Sequence, residues 1–341
     1  MLTSQLKSEI AKLFPNAKFD ASLQSYQNYL KPAGKAWMIC DMNDAVLEYT
    51  PTLSAIAKLK QEYNFPIKAI GKHSNIMFTE RGFDGLILIL DALPVKPEDI
   101  EVCEDRVIVK KSAPLSYLVM VLAEKGVDYW HLNGIPGTVF GAVLNNSGGN
   151  RTGLSIASNN AITKITTYDL EEDCEKIFIP DADFFKIRGS LLKDLNYRQT
   201  RYVITQVEML APRENPEIIN EKIAQISDKR SVVNREGYAY HTAGSFWSNG
   251  HALRDRGKRV RELLAEVNVF STVTNGIGYS PNFGFLYTSA TTTDKQLAQY
   301  TKTNFVAIKE RFNFELHAEV EIIDKAGQIS INEFWEQNQI E

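Results

Sequence analysis

Several protein classes are excluded by what this chain lacks. Its 341 residues include three cysteines, Cys40, Cys103 and Cys174, odd in number and widely scattered. They build neither a disulfide framework nor a metal knuckle, and reduced structural thiols are expected. The five histidines, His73, His131, His241, His251 and His317, form no i, i+4 pair and join no cysteine pair, which argues against a metal enzyme. No apolar run approaches the roughly 18 residues that cross a bilayer. The opening MLTSQLKSEIAKLF lacks the unbroken apolar core of a signal peptide, so a cytoplasmic protein is expected. A formal net charge of −4 argues against a general nucleic-acid binder. The loop GKHSN at 71–75 lacks the G-x-G-x-x-G spacing and runs into an apolar IMF rather than a helix, so neither a Rossmann unit nor a Walker A loop is supported.

What remains is an ordinary soluble composition, 44% apolar and 23% charged, long enough for two or three domains. Charge is uneven: Lys229, Arg230, Arg235, Arg254, Arg256, Lys258, Arg259 and Arg261 crowd one stretch. That stretch could face an acidic small molecule or be a solvated helix face.

Along the chain, an amphipathic opening helix precedes a strand at 37–40, a helix at 52–63 and a strand at 67–70, a β-α-β rhythm. Strands follow at LILILD, IEVCE and RVIVKK. Ser112 is placed as the N-cap of a helix with the stripe Leu115, Leu118, Val119 and Leu122, closed by Gly126. Further strands are read at ITKITTYDL, EKIFIP and RYVITQVEML, a helix from 214 to 230, a helix at 293–312 and a final strand ELHAEVEIID. Interleaved strands with few helices indicate an α+β body rather than a doubly wound sheet.

The densest signal is GIPGTVFGAVLNNSGGN at 134–150, with five glycines among small residues. Such a run leaves main-chain amides uncovered and suits a large anion, although a turn-rich connection would use the same residues. Three smaller groups stand out. Tyr197 and Arg198 set a guanidinium beside a ring, Ser245 sits in GSFWSNG, and Glu319 lies among apolar residues with Glu321 on the same strand face. Each also has a plain reading as a surface arginine, a turn serine or a solvated carboxylate.

In order, GKHSN, the run at 134–149, Tyr197–Arg198, GSFWSN and LHAEV resemble the landmarks of the UDP-N-acetylenolpyruvoylglucosamine reductase (UDP-N-acetylmuramate dehydrogenase) family. Those landmarks are a G-x-G-S-N loop, GIPGTVGGA with an Asn-x-Gly tail, a Tyr-Arg pair, GSFFKNP and LEPEV. The resemblance spans most of the chain. It implies an α+β fold, with a two-part FAD-binding domain of the vanillyl-alcohol-oxidase/PCMH type followed by an α+β substrate domain. The expected parts are residues 1–77 with the tail 324–341, residues 78–225, and a substrate domain at 226–323. It implies FAD and NADPH as cofactors, in reduction of UDP-N-acetylglucosamine enolpyruvate to UDP-N-acetylmuramate for peptidoglycan. Residue by residue, Gly71, Ser74 and Asn75, with Lys72 and His73 in the same loop, would hold the FAD diphosphate. Gly134, Ile135, Pro136, Gly137, Thr138, Gly141, Ala142, Asn146 and Gly148 would line the flavin and its phosphates. Arg198, which also touches the cofactor, Ser245 as proton donor and Glu319 would be catalytic; Tyr197 and Asn249 would line the substrate. A monomer is expected, acting on a sugar nucleotide or other small anion, with no nucleic-acid or membrane partner.

The chain departs from that pattern at several positions. His73 and Phe140 stand where the family has glycines, marking the expected place of a changed flavin pocket. Ser248 replaces a lysine, Gly250 a proline, Val233 a frequent substrate-binding lysine and Glu321 a basic residue, while PNFGF at 281–285 replaces a polar patch. Lost cations and an added carboxylate weaken a UDP site. A flavoprotein oxidoreductase with another substrate therefore stands as an alternative, and a non-catalytic binding module as a third reading.

Overall fold

The computed structural model describes residues 2–26, 33–91, 94–149, 152–239, 242–248, 259–267, 276–280, 285–289 and 291–340, without the side chains of Pro97 and of 229–239. Contacts divide the chain into two units: residues 1–21, 37–72 and 84–231, and residues 22–36, 73–83 and 232–341. The three-part division expected from sequence differs in two ways. Both expected FAD-binding parts fall largely in the first unit, and the chain leaves that unit inside a long helix at residue 231.

The first unit opens with helix α1 (Ser4–Leu13), capped by Thr3 Oγ1 accepting from Leu6 N–H and burying Leu6 and Ile10. Next come β1 (Lys18–Ser22), β2 (Lys35–Asp41), α2 (Tyr49–Tyr63), β3 (Ile67–Ile70), β4 (Ile76–Phe78, in the second unit) and β5 (Phe83–Ile89). Sheet order is β1-β2-β5-β3, with β3 parallel to β5 from Ile67 opposite Leu86 to Ile70 opposite Ile89. Leu53 and Ile56 of α2 share one core with Leu6, Ile10, Leu86 and Leu88. Cys40 is buried there, which pushes its thiol pKa up and leaves it unreactive.

A second sheet follows from β6 (Ile100–Val102), β7 (Arg106–Val109), β8 (Ile162–Asp169), β9 (Cys174–Phe178) and β12 (Tyr202–Leu210), antiparallel in the order β6-β7-β12-β8-β9. Helix α3 (Leu115–Glu124) lays its stripe of Leu115, Leu118, Val119 and Leu122 into the core that holds Val107, Val109, Ile165 and Val207. Its N-cap is Pro114, not Ser112: a proline opens a helical turn without a spare N–H, and the Ser112 hydroxyl instead accepts from Phe140 N–H at 3.4 Å. Helix α4 (Val139–Leu144) lies inside the small-residue run; the short hairpin β10 (Phe185–Lys186) and β11 (Gly189–Ser190) leads into α5 (Leu191–Leu195). The long helix α6 (Pro216–Ala239) leaves the unit.

In the second unit, α7 (Val260–Glu266) precedes β13 (Gly278–Tyr279), β14 (Leu286–Tyr287) and α8 (Asp294–Phe312), the last opened by a capping box of Thr293 and Gln296. Strands β15 (Glu321–Asp324) and β16 (Gly327–Ile329) form a hairpin, and β15 pairs in parallel with β4. The tail thus returns to a strand that is early in sequence, but β4 and tail both belong to the second unit. The terminal strand begins only at Glu321, whereas sequence periodicity extends it back to Glu315. Helix α9 (Ile331–Gln337) closes the chain, with Phe334 and Trp335 buried. Among the described residues no helix is long and apolar enough to cross a membrane.

Candidate functional site

Strand β3 delivers its carboxyl end to Gly71. A Cβ placed there would lie 2.4 Å from Thr138 Oγ1, so only glycine lets the loop lie against the small-residue run. Lys72 follows, its Nζ 4.0 Å from the Asp91 carboxylate. Burial, reinforced by Asp41, pushes the Asp91 carboxyl above its ordinary range against the pull of Lys72. His73 takes φ +42°, the left-handed region that histidine tolerates better than most side chains. The histidine that replaces a glycine of the resembled pattern therefore keeps a glycine-like backbone. Ser74 is half-buried, and Asn75 reaches the segment described below.

The run at 134–149 is neither an open turn nor a strand connection. Its first part is pinned to the start of α3: Leu115 N–H donates to the Gly137 carbonyl at 3.1 Å, and Val139 N–H to the Ala113 carbonyl at 2.9 Å. Gly137 takes φ +123°, which a side chain rarely adopts. Thr138 caps α4, its Oγ1 accepting from Gly141 N–H at 3.4 Å. Phe140, expected to intrude on the cofactor surface, is 2% exposed and packed in the core with Leu118 and Val143. It belongs to the hydrophobic interior, contributing about 1.5–3 kcal/mol by burial. Ala142 is also buried, and Ile135 packs against the same core. Beyond α4, Asn146 takes φ +42° and donates to the Lys186 carbonyl at 2.9 Å; Gly148 bridges Ser155, with the Leu154 carbonyl 2.5 Å from where a Cβ would stand. Such closely approached, small and left-handed positions fit a nucleotide cofactor whose phosphates rest on the main chain.

Tyr197 and Arg198 lie on a loop that two clamps define. Asn196, 6% exposed, accepts from Arg201 N–H at 3.0 Å and Tyr202 N–H at 2.9 Å, and donates to the Tyr202 carbonyl. Thr200 N–H donates to the Ile67 carbonyl at 2.7 Å, and its hydroxyl accepts from Ala69 N–H at 2.9 Å. Both side chains between the clamps are exposed, with Arg198 Cζ 5.7 Å from the Tyr197 ring centroid. Arg201, three residues on, is structural: it grips the fully buried Asp169 at 2.8 Å and pairs with Glu171 and Glu172. Burial opposes the Asp169 charge, but Arg201 and the Glu171 and Glu172 amides hold its carboxyl below the ordinary range.

In the second unit, three landmarks distant in sequence meet. Glu319 N–H donates to the Phe246 carbonyl at 2.7 Å, Ser248 N–H donates to the His317 carbonyl at 2.8 Å, and Trp247 bridges Ala318. The Asn75 side chain donates to the Glu319 carbonyl at 3.1 Å, and Glu321 N–H donates to the Asn75 carbonyl at 3.1 Å. Glu319 therefore does not share a regular strand face with Glu321. It sits between Asn75 and the segment that carries Ser245, which itself bridges Phe285. Ser245 and Glu319 are both half-buried. Below them Trp247 Nε1–H donates to Tyr279 Oη at 2.7 Å, both side chains 2% exposed, an anchor that sequence spacing did not reveal. Asn249, Gly250, residues 281–284, the side chain of Val233 and most of the basic stretch from Lys229 lie outside the described residues.

Residues 46–169 match the family described as an FAD binding domain. The chain is 26% identical over 344 residues to the UDP-N-acetylenolpyruvoylglucosamine reductase of Staphylococcus aureus strain COL, covering 95% of this chain and 98% of that protein. It is equally similar to the enzyme of strain MRSA252. Among solved structures, UDP-N-acetylenolpyruvylglucosamine reductase from Thermus caldophilus superposes with a TM-score of 0.62 at 18% identity, over 90% of this chain and 98% of that one, and shares the fold. With its landmarks in order, the chain is similar over nearly its whole length to UDP-N-acetylenolpyruvoylglucosamine reductases, and its residues 46–169 match the FAD binding domain family.

Proposed function

We propose that this protein reduces UDP-N-acetylglucosamine enolpyruvate to UDP-N-acetylmuramate, with FAD bound on Gly71–Asn75 and the run at 134–148 and with NADPH as reductant. The observation that carries the reading is the meeting of Asn75, Phe246 and Glu319 through hydrogen bonds of 2.7 and 3.1 Å, which sets the neighbour of Ser245 directly against Glu319. FAD held on these segments would supply the hydride chemistry, with NADPH as the hydride source and the enol-ether carbon distal to the substrate carboxylate as the acceptor. Arg198 stabilises the negative charge that develops on that carboxylate, and Glu319 stabilises it through a proton that it holds or relays. Ser245 delivers a proton to the adjacent carbon, its hydroxyl aligned by the anchored Phe246 and Trp247. Gly71, Gly137 and His73 keep the main chain open to the phosphates. Ser248 and Glu321, in place of cations, weaken the hold on the UDP moiety and raise the substrate KM. Tyr197 lines the substrate.

Stopped-flow mixing tests this in two steps. NADPH should bleach the flavin absorbance, and UDP-N-acetylglucosamine enolpyruvate should then restore it. A flavin that NADPH bleaches and this substrate never reoxidises would reject the assigned substrate. A protein that cannot be loaded with FAD would reject the reading altogether.

A further inference from the structure

Residues 190–200 tie the cofactor run to the arginine loop within the first unit. The carboxyl end of helix α4 is closed by main-chain amides, Asn145 N–H donating to the Gly141 carbonyl at 3.1 Å and Ser147 N–H to the Ala142 carbonyl at 2.8 Å, and side chains add to this closure. Ser190 Oγ donates to the Leu144 carbonyl at 2.8 Å, and Asn145 Nδ2 donates to the Gly141 carbonyl at 3.2 Å. Lys193 Nζ donates to Asn145 Oδ1. An ammonium can only donate, so Lys193 fixes which end of the Asn145 amide faces α4. It also sets a cation at a helix carboxyl terminus, where charge of that sign is favoured. From Lys193 the chain completes α5 and enters the Asn196 clamp, presents Tyr197 and Arg198, and is tied down again where Thr200 bonds Ile67 and Ala69 of β3. Strand β3 in turn ends at Gly71, which touches Thr138 of the run.

We propose that Lys193 is a positioning residue that couples the seat of α4 to the Tyr197–Arg198 loop, so that one strap sets both the cofactor-binding main chain and the guanidinium. This rests on the function proposed above for Arg198. A loose α4 end shifts the strap, because only residues 197–199 between the clamps are left to absorb the movement.

The test compares wild type, Lys193→Met, Lys193→Arg, Arg198→Met and the Lys193→Met/Arg198→Met double variant. Amide hydrogen exchange at 196–200 in the FAD-free protein is expected to rise about tenfold in Lys193→Met and to return towards wild type in Lys193→Arg. At saturating FAD, Lys193→Met is expected to slow reoxidation by the enolpyruvyl substrate about tenfold, with NADPH reduction within about twofold, and to add little in the Arg198→Met background. Unchanged exchange at 196–200, or full additivity with Arg198→Met, overturns the coupling. If wild-type reduced enzyme is not reoxidised by that substrate, the proposed function fails while the exchange measurement still decides the role of Lys193. If Lys193→Met does not fold, Asn145→Ala removes the acceptor of Lys193 and is read by the same exchange.

Discussion

At the scale of single residues, the two arginines at 198 and 201 show how position decides role. Arg201 is held by a buried carboxylate and two more acids, whereas Arg198 stands exposed beside a ring. The neighbouring ring drew attention to Arg198 and resemblance gave it a role, but the structural role of Arg201 was hidden because Asp169 lies 32 residues from it. Ser245→Ala is expected to leave flavin reduction by NADPH within about twofold and to slow substrate reduction by about 10²–10⁴. Stopped-flow absorbance reads both steps, and equal losses would remove the proton-donor role. Tyr279→Phe leaves Trp247 Nε1–H without its buried acceptor, at a cost of about 1–3 kcal/mol measurable by urea unfolding. The loosened Ser245 segment should slow substrate reduction more than flavin reduction.

At the scale of elements, regular periodicity was legible and tertiary capping was not. Strand β3 follows from the β-α-β rhythm and the apolar stripe of α3 from i, i+3, i+4 spacing. Helix α4 was missed because Gly141 and its small neighbours read as turn. The helix forms because Thr138 caps it, and Ala113 and Leu115 pin its start. The terminal strand looked longer than it is because Leu316–Val320 alternates like a strand, yet its partners are the backbone of Phe246 and Ser248. The β8–β12 corner makes a pH prediction. Asp169 has a lowered carboxyl pKa in the fold. Its contribution is therefore complete above the unfolded value of about 4 and is lost as pH falls through the lower folded value. Acid unfolding of Asp169→Asn should accordingly be less steep below about pH 4 than that of wild type, while stability at pH 7 drops by about 1–3 kcal/mol, because Arg201 loses a charge-assisted acceptor but keeps Glu171 and Glu172. Chemical denaturation across pH checks both arms.

At the scale of the molecule, each unit is assembled from three separated stretches of chain, so neither can be excised with one cut. A chain ending at residue 231 keeps β4 but lacks β15. It is expected to lose exchange protection at 76–78 while the β8–β12 ladder stays protected, as amide exchange would show. FAD, binding the folded state only, should raise stability by about 2.7 kcal/mol at a hundredfold excess over its Kd. Stripping the cofactor should lower Tm by several degrees in a thermal scan, and an unchanged Tm would contradict cofactor binding by the fold. The pairing of β4 with β15 also sets a schedule for synthesis. Thr79, whose hydroxyl donates to Asp324 Oδ1, leaves the ribosome 245 residues before its acceptor. At about 5–20 residues per second, that strand waits on the order of 10–50 s with an open edge. During this interval β4 carries unpaired main-chain groups, which leaves the nascent chain prone to edge pairing with other chains.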